Sequence, residues 1–263
     1  MVIFILALCT ITFLQILSNL ANDYGDAVSG KDTHKRVGPT RVTVTGMVSL
    51  TEMKTMIYVF VGLSVLSGSM LIYYGLRGFE LSKILLFFGL GAAAILAAIK
   101  YTVGRKPYGY RGLGDIFVFV FFGLVGVLGT YFLHTHWFEI SLIYPASAIG
   151  FFSVGVLNIN NLRDIETDRE TGKNTLAARH GANFSRKYHV LLLSAAWFFS
   201  LVFTFSSFYS WWQLLYVVSL PLFIGNIRNV CLHNDPVVLN KELKNLAMAI
   251  FLYSVLFGVG MIL

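Results

Sequence analysis

The sequence predicts an all-α fold, a multispan transmembrane helical bundle. Three observations carry this. The chain has 263 residues, of which 56% are hydrophobic and only 13% charged, with a mean hydropathy of +0.71; an ordinary soluble domain carries roughly 25% charged residues. Its apolar residues gather in eight runs, and about 20 apolar residues cross a bilayer as a helix. The runs are continuous, without the alternation of barrel strands, and helices and closed barrels are the structures that satisfy their own backbone in lipid.

The runs cover residues 1–21, 56–74, 82–99, 116–133, 140–159, 188–205, 212–224 and 246–263, the seventh being the shortest. Charge orients them. The loops after the first, third, fifth and seventh runs share one side of the membrane and hold 18 of the 20 Lys and Arg residues. The other side holds Arg77 and Lys83. By the positive-inside rule the basic side is cytoplasmic. The net charge of +7 is thereby a topology signal, and no nucleic-acid partner is needed to explain it. Cys9 and Cys231 stand alone in apolar surroundings, as packing residues do. The six histidines are scattered and form no ligand pair.

Two polar segments interrupt this pattern. "NLANDYGDAVSGKDTHKRVGPTR" (19–41) follows the first run, and "NNLRDIETDRETGKNTLAARHG" (160–181) follows the fifth. Asn19, Asp23 and Asp26 fall on one helical stripe, as do Asn161, Asp164 and Asp168. The spacing Asn-x-x-x-Asp occurs as Asn22/Asp26 and again as Asn160/Asp164, an internal echo on the same membrane face. Carboxylates on two converging helices repel unless cations sit between them. A donor set of oxygen alone suits Mg²⁺, which shares its shell with phosphate oxygens. Interleaved Lys35, Arg36, Arg163 and Lys173 supply the positive charge a diphosphate requires. A third segment on that face, "KYTVGRKPYGYRGLGD" (100–115), adds Arg105, Lys106 and Tyr101 at the mouth of the bundle. Cytoplasmic loops are charged as a rule, which accounts for Glu166, Glu170, Arg186 and Lys187. It does not account for acids within a turn or two of an apolar core, where ionisable groups are costly.

In these residues the chain resembles the UbiA superfamily of intramembrane prenyltransferases. "NDYGD" and "RDIETDRETGKNT" resemble its paired Asp-rich motifs, and "YTVGRK" resembles its Tyr-x-x-x-basic-basic element. The three segments together are most similar to the branch acting on 1,4-dihydroxy-2-naphthoate in menaquinone synthesis. The ubiquinone branch has a tighter Asp spacing in the first motif, an Arg-Thr and a later Arg-Pro-Leu, all absent here. Asp32 is offset from the last Asp of that branch's motif and is not carried over.

The resemblance implies transfer of a polyprenyl group from a prenyl diphosphate to 1,4-dihydroxy-2-naphthoate. CO₂ and diphosphate are lost and demethylmenaquinone is formed, with Mg²⁺ as cofactor. It implies Asp23, Asp26, Asp164 and Asp168 as metal ligands, with Asn22 beside them, and catalysis resting on Asp26, Asp164 and Asp168. The substrate-binding set is Asn22, Tyr101, Arg105, Lys106, Arg163 and Lys173. The implied partners are the two substrates and the lipid bilayer, in a multi-pass plasma-membrane protein whose active-site loops face the cytoplasm.

Other readings compete. The acceptor could instead be 4-hydroxybenzoate, homogentisate or another quinone precursor. A cation transporter would carry charge at mid-span, which these runs lack. A phosphatidyl transferase would group its aspartates in one stretch. The family's members usually have nine spans, one of them before the span bearing the first motif. The expectation is therefore of a single prenyltransferase domain over 1–263, lacking a first helix that lies upstream of Met1.

Overall fold

The computed structural model describes residues 1–31 and 47–263. Among them there is no strand, and eight helices are long and apolar enough to cross a membrane. They are span 1 (Val2–Val28), span 2 (Leu50–Gly75), span 3 (Leu81–Lys100), span 4 (Gly114–Thr135), span 5 (Ile140–Arg163), span 6 (Ala182–Ser206), span 7 (Trp211–Leu232) and span 8 (Pro236–Ile262). Short helices Ile165–Glu170 and Leu176–His180 lie between spans 5 and 6. Asp32, Lys35, Arg36 and Arg41 lie outside the described residues.

Several helices wind on past their apolar runs into polar sequence. Span 1 continues through Asn22, Asp23 and Asp26. Span 7 shows why. Its apolar run stops at 224, yet the helix reaches Leu232 because Asn226 finds partners inside. Asn226 Nδ2 donates to the Glu242 carbonyl (2.9 Å) and to Glu242 Oε2 (2.8 Å), and its Oδ1 pairs with His189 Nε2 (3.0 Å). A buried polar group with its hydrogen bonds made is compatible with a span.

The chain folds as two compact units, Met1–Gly114 with Leu128–Phe138, and Asp115–Val127 with Glu139–Leu263. In the first unit Ala7, Leu71, Ile72, Leu76 and Leu133 form the core. Gly75 lies so close to Leu133 that an added Cβ would stand 2.7 Å from its Cδ2. Span 2 begins with a capping box: Ser49 accepts from the Glu52 amide, and Glu52 accepts from the Ser49 amide. Span 3 buries only Ala97 and leaves Leu85, Leu86 and Leu96 exposed, a surface suited to lipid rather than water.

The second unit has the larger core, built on Phe152, Leu193, Tyr216, Phe223, Leu246 and Tyr253. Its buried tyrosines keep their hydroxyls paired, Tyr253 with Ser200 (2.6 Å) and Tyr216 with Thr204 (3.1 Å). Span 4 is wound as a π-helix over Phe119–Leu128. A Cβ on Gly123 would stand 2.7 Å from the Ala146 carbonyl and from Gly150 Cα, so spans 4 and 5 touch backbone to backbone there.

Candidate active site

In the first unit the acidic end of span 1 is clasped by the segment after span 3. Asp26 is 4% exposed and accepts a hydrogen bond from the hydroxyl of Tyr110, which is itself buried. Thr102 Oγ1 donates to the Ala21 carbonyl (2.8 Å) and approaches Asn22 Oδ1 at 3.3 Å. Gly25 makes this possible, since a Cβ there would stand 2.7 Å from both the carbonyl and the side chain of Thr102. Asn22 and Asp23 are half-buried beside Asp26, whereas Asn19 is exposed.

The clasping segment is ordered by its own contacts. The Gly109 amide donates to the Tyr101 carbonyl (3.0 Å), Tyr101 and Tyr108 meet edge to face, and Tyr108 Oη donates to the Ala97 carbonyl (2.7 Å). Burial pushes the Tyr108 phenol up from its ordinary pKa, so it stays a donor. Tyr101 is half-buried, and Arg105 and Lys106 are exposed. The Lys31 ammonium sits 4.2 Å from the centroid of the Tyr110 ring, a cation–π contact.

In the second unit Asp164, Asp168, Arg163 and Asn161 are all buried, and Lys173 is half-buried. Asp164 (φ −95°, ψ 12°) departs from helical geometry, so span 5 ends at Arg163 and a new helix starts at Ile165. The expected unbroken stripe of Asn161, Asp164 and Asp168 is thus interrupted. The cause is local. Arg163 grips Asp164 through two bonds, Nε to Oδ1 (2.7 Å) and Nη2 to Oδ2 (2.6 Å), and neighbours at i, i+1 do not face each other on a regular helix. The same guanidinium reaches Asn160 (2.8 Å) and Asn240 (2.9 Å). Asp168 accepts from Thr175 Oγ1 at 3.2 Å. In the structure, then, Arg163 is turned toward protein acceptors and holds Asp164 in place.

The two acidic helix ends are built alike. The Lys31 amide donates to the Asp26 carbonyl (2.9 Å) and the Gly30 amide to Ala27 (3.2 Å). The Lys173 amide donates to the Asp168 carbonyl (2.8 Å) and the Gly172 amide to Arg169 (3.2 Å). Both are Schellman closures with a left-handed glycine, Gly30 at φ 66° and Gly172 at φ 71°. The hydroxyls of Ser29 and Thr171 each bond the carbonyl four residues back, at 2.7 and 2.8 Å. This register matches Asn22 with Asp164 and Asp26 with Asp168, four residues along from the Asn-x-x-x-Asp echo. Backbone closure sets it, and side-chain spacing alone does not reveal it.

Sequence reasoning did not single out Tyr110, Thr102, Thr175 or Asn240. Their signal is weak because each acts through a neighbour. The donor set itself fits Mg²⁺. Every candidate atom is a hard oxygen, and the carboxylates are oriented by hydrogen bonds as ligating carboxylates are. Among the described residues no three His, Cys, Asp or Glu side chains form a ready cage; Mg²⁺ takes one or two carboxylates with phosphate oxygens and water.

A model of the UbiA prenyltransferase family matches residues 1–260. The chain belongs to the UbiA prenyltransferase family. Among its relatives is the 1,4-dihydroxy-2-naphthoate octaprenyltransferase of Haemophilus influenzae, 47% identical over 99% of this chain and 84% of that protein. The enzyme of the same name from Escherichia coli is 44% identical over 98% of this chain and 83% of its own length. The Mycobacterium leprae enzyme of that name is 35% identical over 86% of this chain and 73% of its own. A solved structure of a digeranylgeranylglyceryl phosphate synthase superposes with a TM-score of 0.58 at 18% identity, covering 98% of this chain and 86% of that one. That likeness bears on the fold, and it agrees with the helical membrane bundle expected from the sequence. The family expectation therefore holds, down to relatives of the naphthoate branch.

Proposed function

We propose that this UbiA-family protein transfers a polyprenyl group from a prenyl diphosphate to 1,4-dihydroxy-2-naphthoate, releasing diphosphate and CO₂ and forming demethylmenaquinone in its hydroquinone form. The observation that carries the acceptor is identity of 47% and 44%, over 99% and 98% of the chain, to two enzymes named for that acceptor.

On this reading Asp23, Asp26, Asp164 and Asp168 hold Mg²⁺, with Asn22 beside the first pair. Bound Mg²⁺ supplies charge neutralisation of the diphosphate, which makes it a better leaving group. The chain's own residues do the rest. Arg105, Lys106 and Lys173 bind the diphosphate oxygens, Tyr101 lies against the substrate, and Arg163 joins them or keeps Asp164 aimed. Tyr110 and Thr175 fix the rotamers of Asp26 and Asp168. The ring carbon bearing the carboxylate attacks the allylic carbon as its C–O bond breaks, and loss of CO₂ restores the aromatic ring.

The bias of Lys and Arg supports a cytoplasmic position for the motif loops in the plasma membrane. One assay tests the whole reading. Membranes containing the protein receive Mg²⁺, a labelled prenyl diphosphate and dihydroxynaphthoate. Labelled demethylmenaquinone, counted as hydroquinone plus any quinone formed from it in air, and CO₂ are expected in equal amounts, and both should vanish with EDTA. Prenylation of 4-hydroxybenzoate in place of naphthoate would overturn the acceptor assignment.

A further inference from the structure

The second unit carries two carboxylates inside its spans besides the motif, and they differ. Glu242 is 3% exposed, and its oxygens take hydrogen bonds from Asn226 (2.8 Å), Asn229 (3.0 Å) and Asn245 (3.0 Å). It is saturated and structural. Asp115, in the first turn of span 4, is half-buried, while its neighbour Ile116 is 61% exposed, so Asp115 points inward. Its carboxylate lies near the Tyr188 hydroxyl. No cation pairs with it among the described residues. A carboxylate offers about four lone-pair sites, so Asp115 keeps acceptor capacity that Glu242 does not.

Its depth can be read from the packing. Phe119 lies against Gly150, so Asp115, one turn earlier, is level with Val154 on antiparallel span 5. Gly155 lies against Leu193 and His189, and Asn158 Nδ2 bonds the Ser185 carbonyl (2.9 Å). That puts Tyr188 at the same level, where its ring stacks on Phe184 and packs against the core. From this level to Asp164 the helix rises roughly 14 Å at 1.5 Å per residue. A diphosphate, the allylic carbon and a two-ring aromatic placed end to end take a comparable length. An ionisable side chain at such a depth is costly and usually functional.

We propose that Asp115 and Tyr188 form the acceptor subsite, resting on the naphthoate reading above. Asp115 accepts the acceptor's hydroxyl next to the carboxylated carbon, and Tyr188 orients the Asp115 carboxylate. As the allylic C–O bond breaks, its electron pair leaves with the diphosphate. The carboxylated carbon forms the new C–C bond, and the adjacent hydroxyl becomes a ketone by giving its proton to Asp115. The carboxylate is now β to that ketone, so the C–CO₂ bond breaks with its electrons delocalised onto the ketone oxygen. Asp115 returns the proton to that oxygen, giving the hydroquinone. Every atom and electron pair is accounted for without a further reagent.

The test uses the full chain in lipid nanodiscs with Mg²⁺, prenyl diphosphate and 1,4-dihydroxy-2-naphthoate. Asp115→Asn should lower kcat about 100-fold or more, the usual scale for a lost general base, with the KM for prenyl diphosphate within about twofold. Asp115→Glu should recover part of the rate, and Tyr188→Phe should raise the KM for naphthoate alone, by about tenfold. Wild-type kcat and naphthoate KM in Asp115→Asn would overturn the proposal and leave the naphthoate reading intact. If Asp115→Asn also loses prenyl diphosphate binding, Tyr188→Phe decides: a selective rise in naphthoate KM supports the subsite, and no change overturns it. A wild-type protein that releases no CO₂ from naphthoate sinks both.

Discussion

The phenol of Tyr110 donates its hydrogen bond to the carboxylate of Asp26, joining the segment after span 3 to the acidic end of span 1. The same ring carries the Lys31 ammonium on its face. One side chain thus fixes the direction of an acid proposed to hold metal and the position of a nearby cation. Tyr110→Phe removes the hydroxyl and keeps the ring. Loss of an orienting partner of this kind costs about 10- to 100-fold in metal affinity or activity. We expect the Mg²⁺ concentration for half-maximal rate to rise by that order, with the protein still folded. An unchanged Mg²⁺ titration would show that Asp26 keeps its aim without Tyr110.

The acids and bases of the two motifs were legible in the sequence because ionisable residues stand out against apolar runs. The span ends were legible less well. Asn226, Arg228 and Asn229 read as a loop, and only the buried contacts of Asn226 with His189 and Glu242 make them helical. Thr102 and Tyr110 carry no sequence signal for a related reason. Their contacts with Asn22 and Asp26 join residues about 80 positions apart, and no local pattern encodes such a meeting. Arg163 reads in the sequence as a positive charge. Its bidentate hold on Asp164 depends on the helix break at that residue, which spacing alone does not disclose.

Asp26, Asp164 and Asp168 are each held by a named donor: Tyr110, Arg163 and Thr175 respectively. Changing any one to Asn keeps the volume and removes the charge. Turnover should fall about 100-fold or more, the scale on which a lost electrostatic contribution to the transition state is felt. Amounts in the membrane should match wild type. A well-expressed single variant with near-normal turnover would take that residue out of the metal site.

Arg105, Lys106 and Lys173 differ in setting, the first two exposed and the third half-buried at a closed helix end. Replacing each by Ala should raise the KM for prenyl diphosphate about tenfold, the worth of a hydrogen bond to a charged group. The KM for naphthoate should change less, because a truncated cation contacts only the diphosphate. Lys173→Ala should be the most damaging, since burial weakens solvent screening there. Equal effects on both substrates would mean that these cations serve folding.

The paired helix closures give a prediction about backbone alone. Among the described residues nothing lies near where a Cβ would go on Gly172 (φ 71°) or on Gly30 (φ 66°). Against those residues space is not the obstacle at either position. A left-handed conformation costs an ordinary L-residue about 1 kcal/mol or more, and Asn tolerates it better than Ala. The closure also sets where Lys173 leaves the helix, because the Lys173 amide bonds the carbonyl of Asp168. Gly172→Ala should accordingly move Lys173 and raise the KM for prenyl diphosphate, with Gly172→Asn milder and Gly172→Val worse. Gly30 should show the same order, through Lys31 and Asp26. Kinetics on the six variants, with detergent melting curves beside them, check this. If Asn and Val variants behave alike at Gly172, the left-handed turn does not govern the position of Lys173.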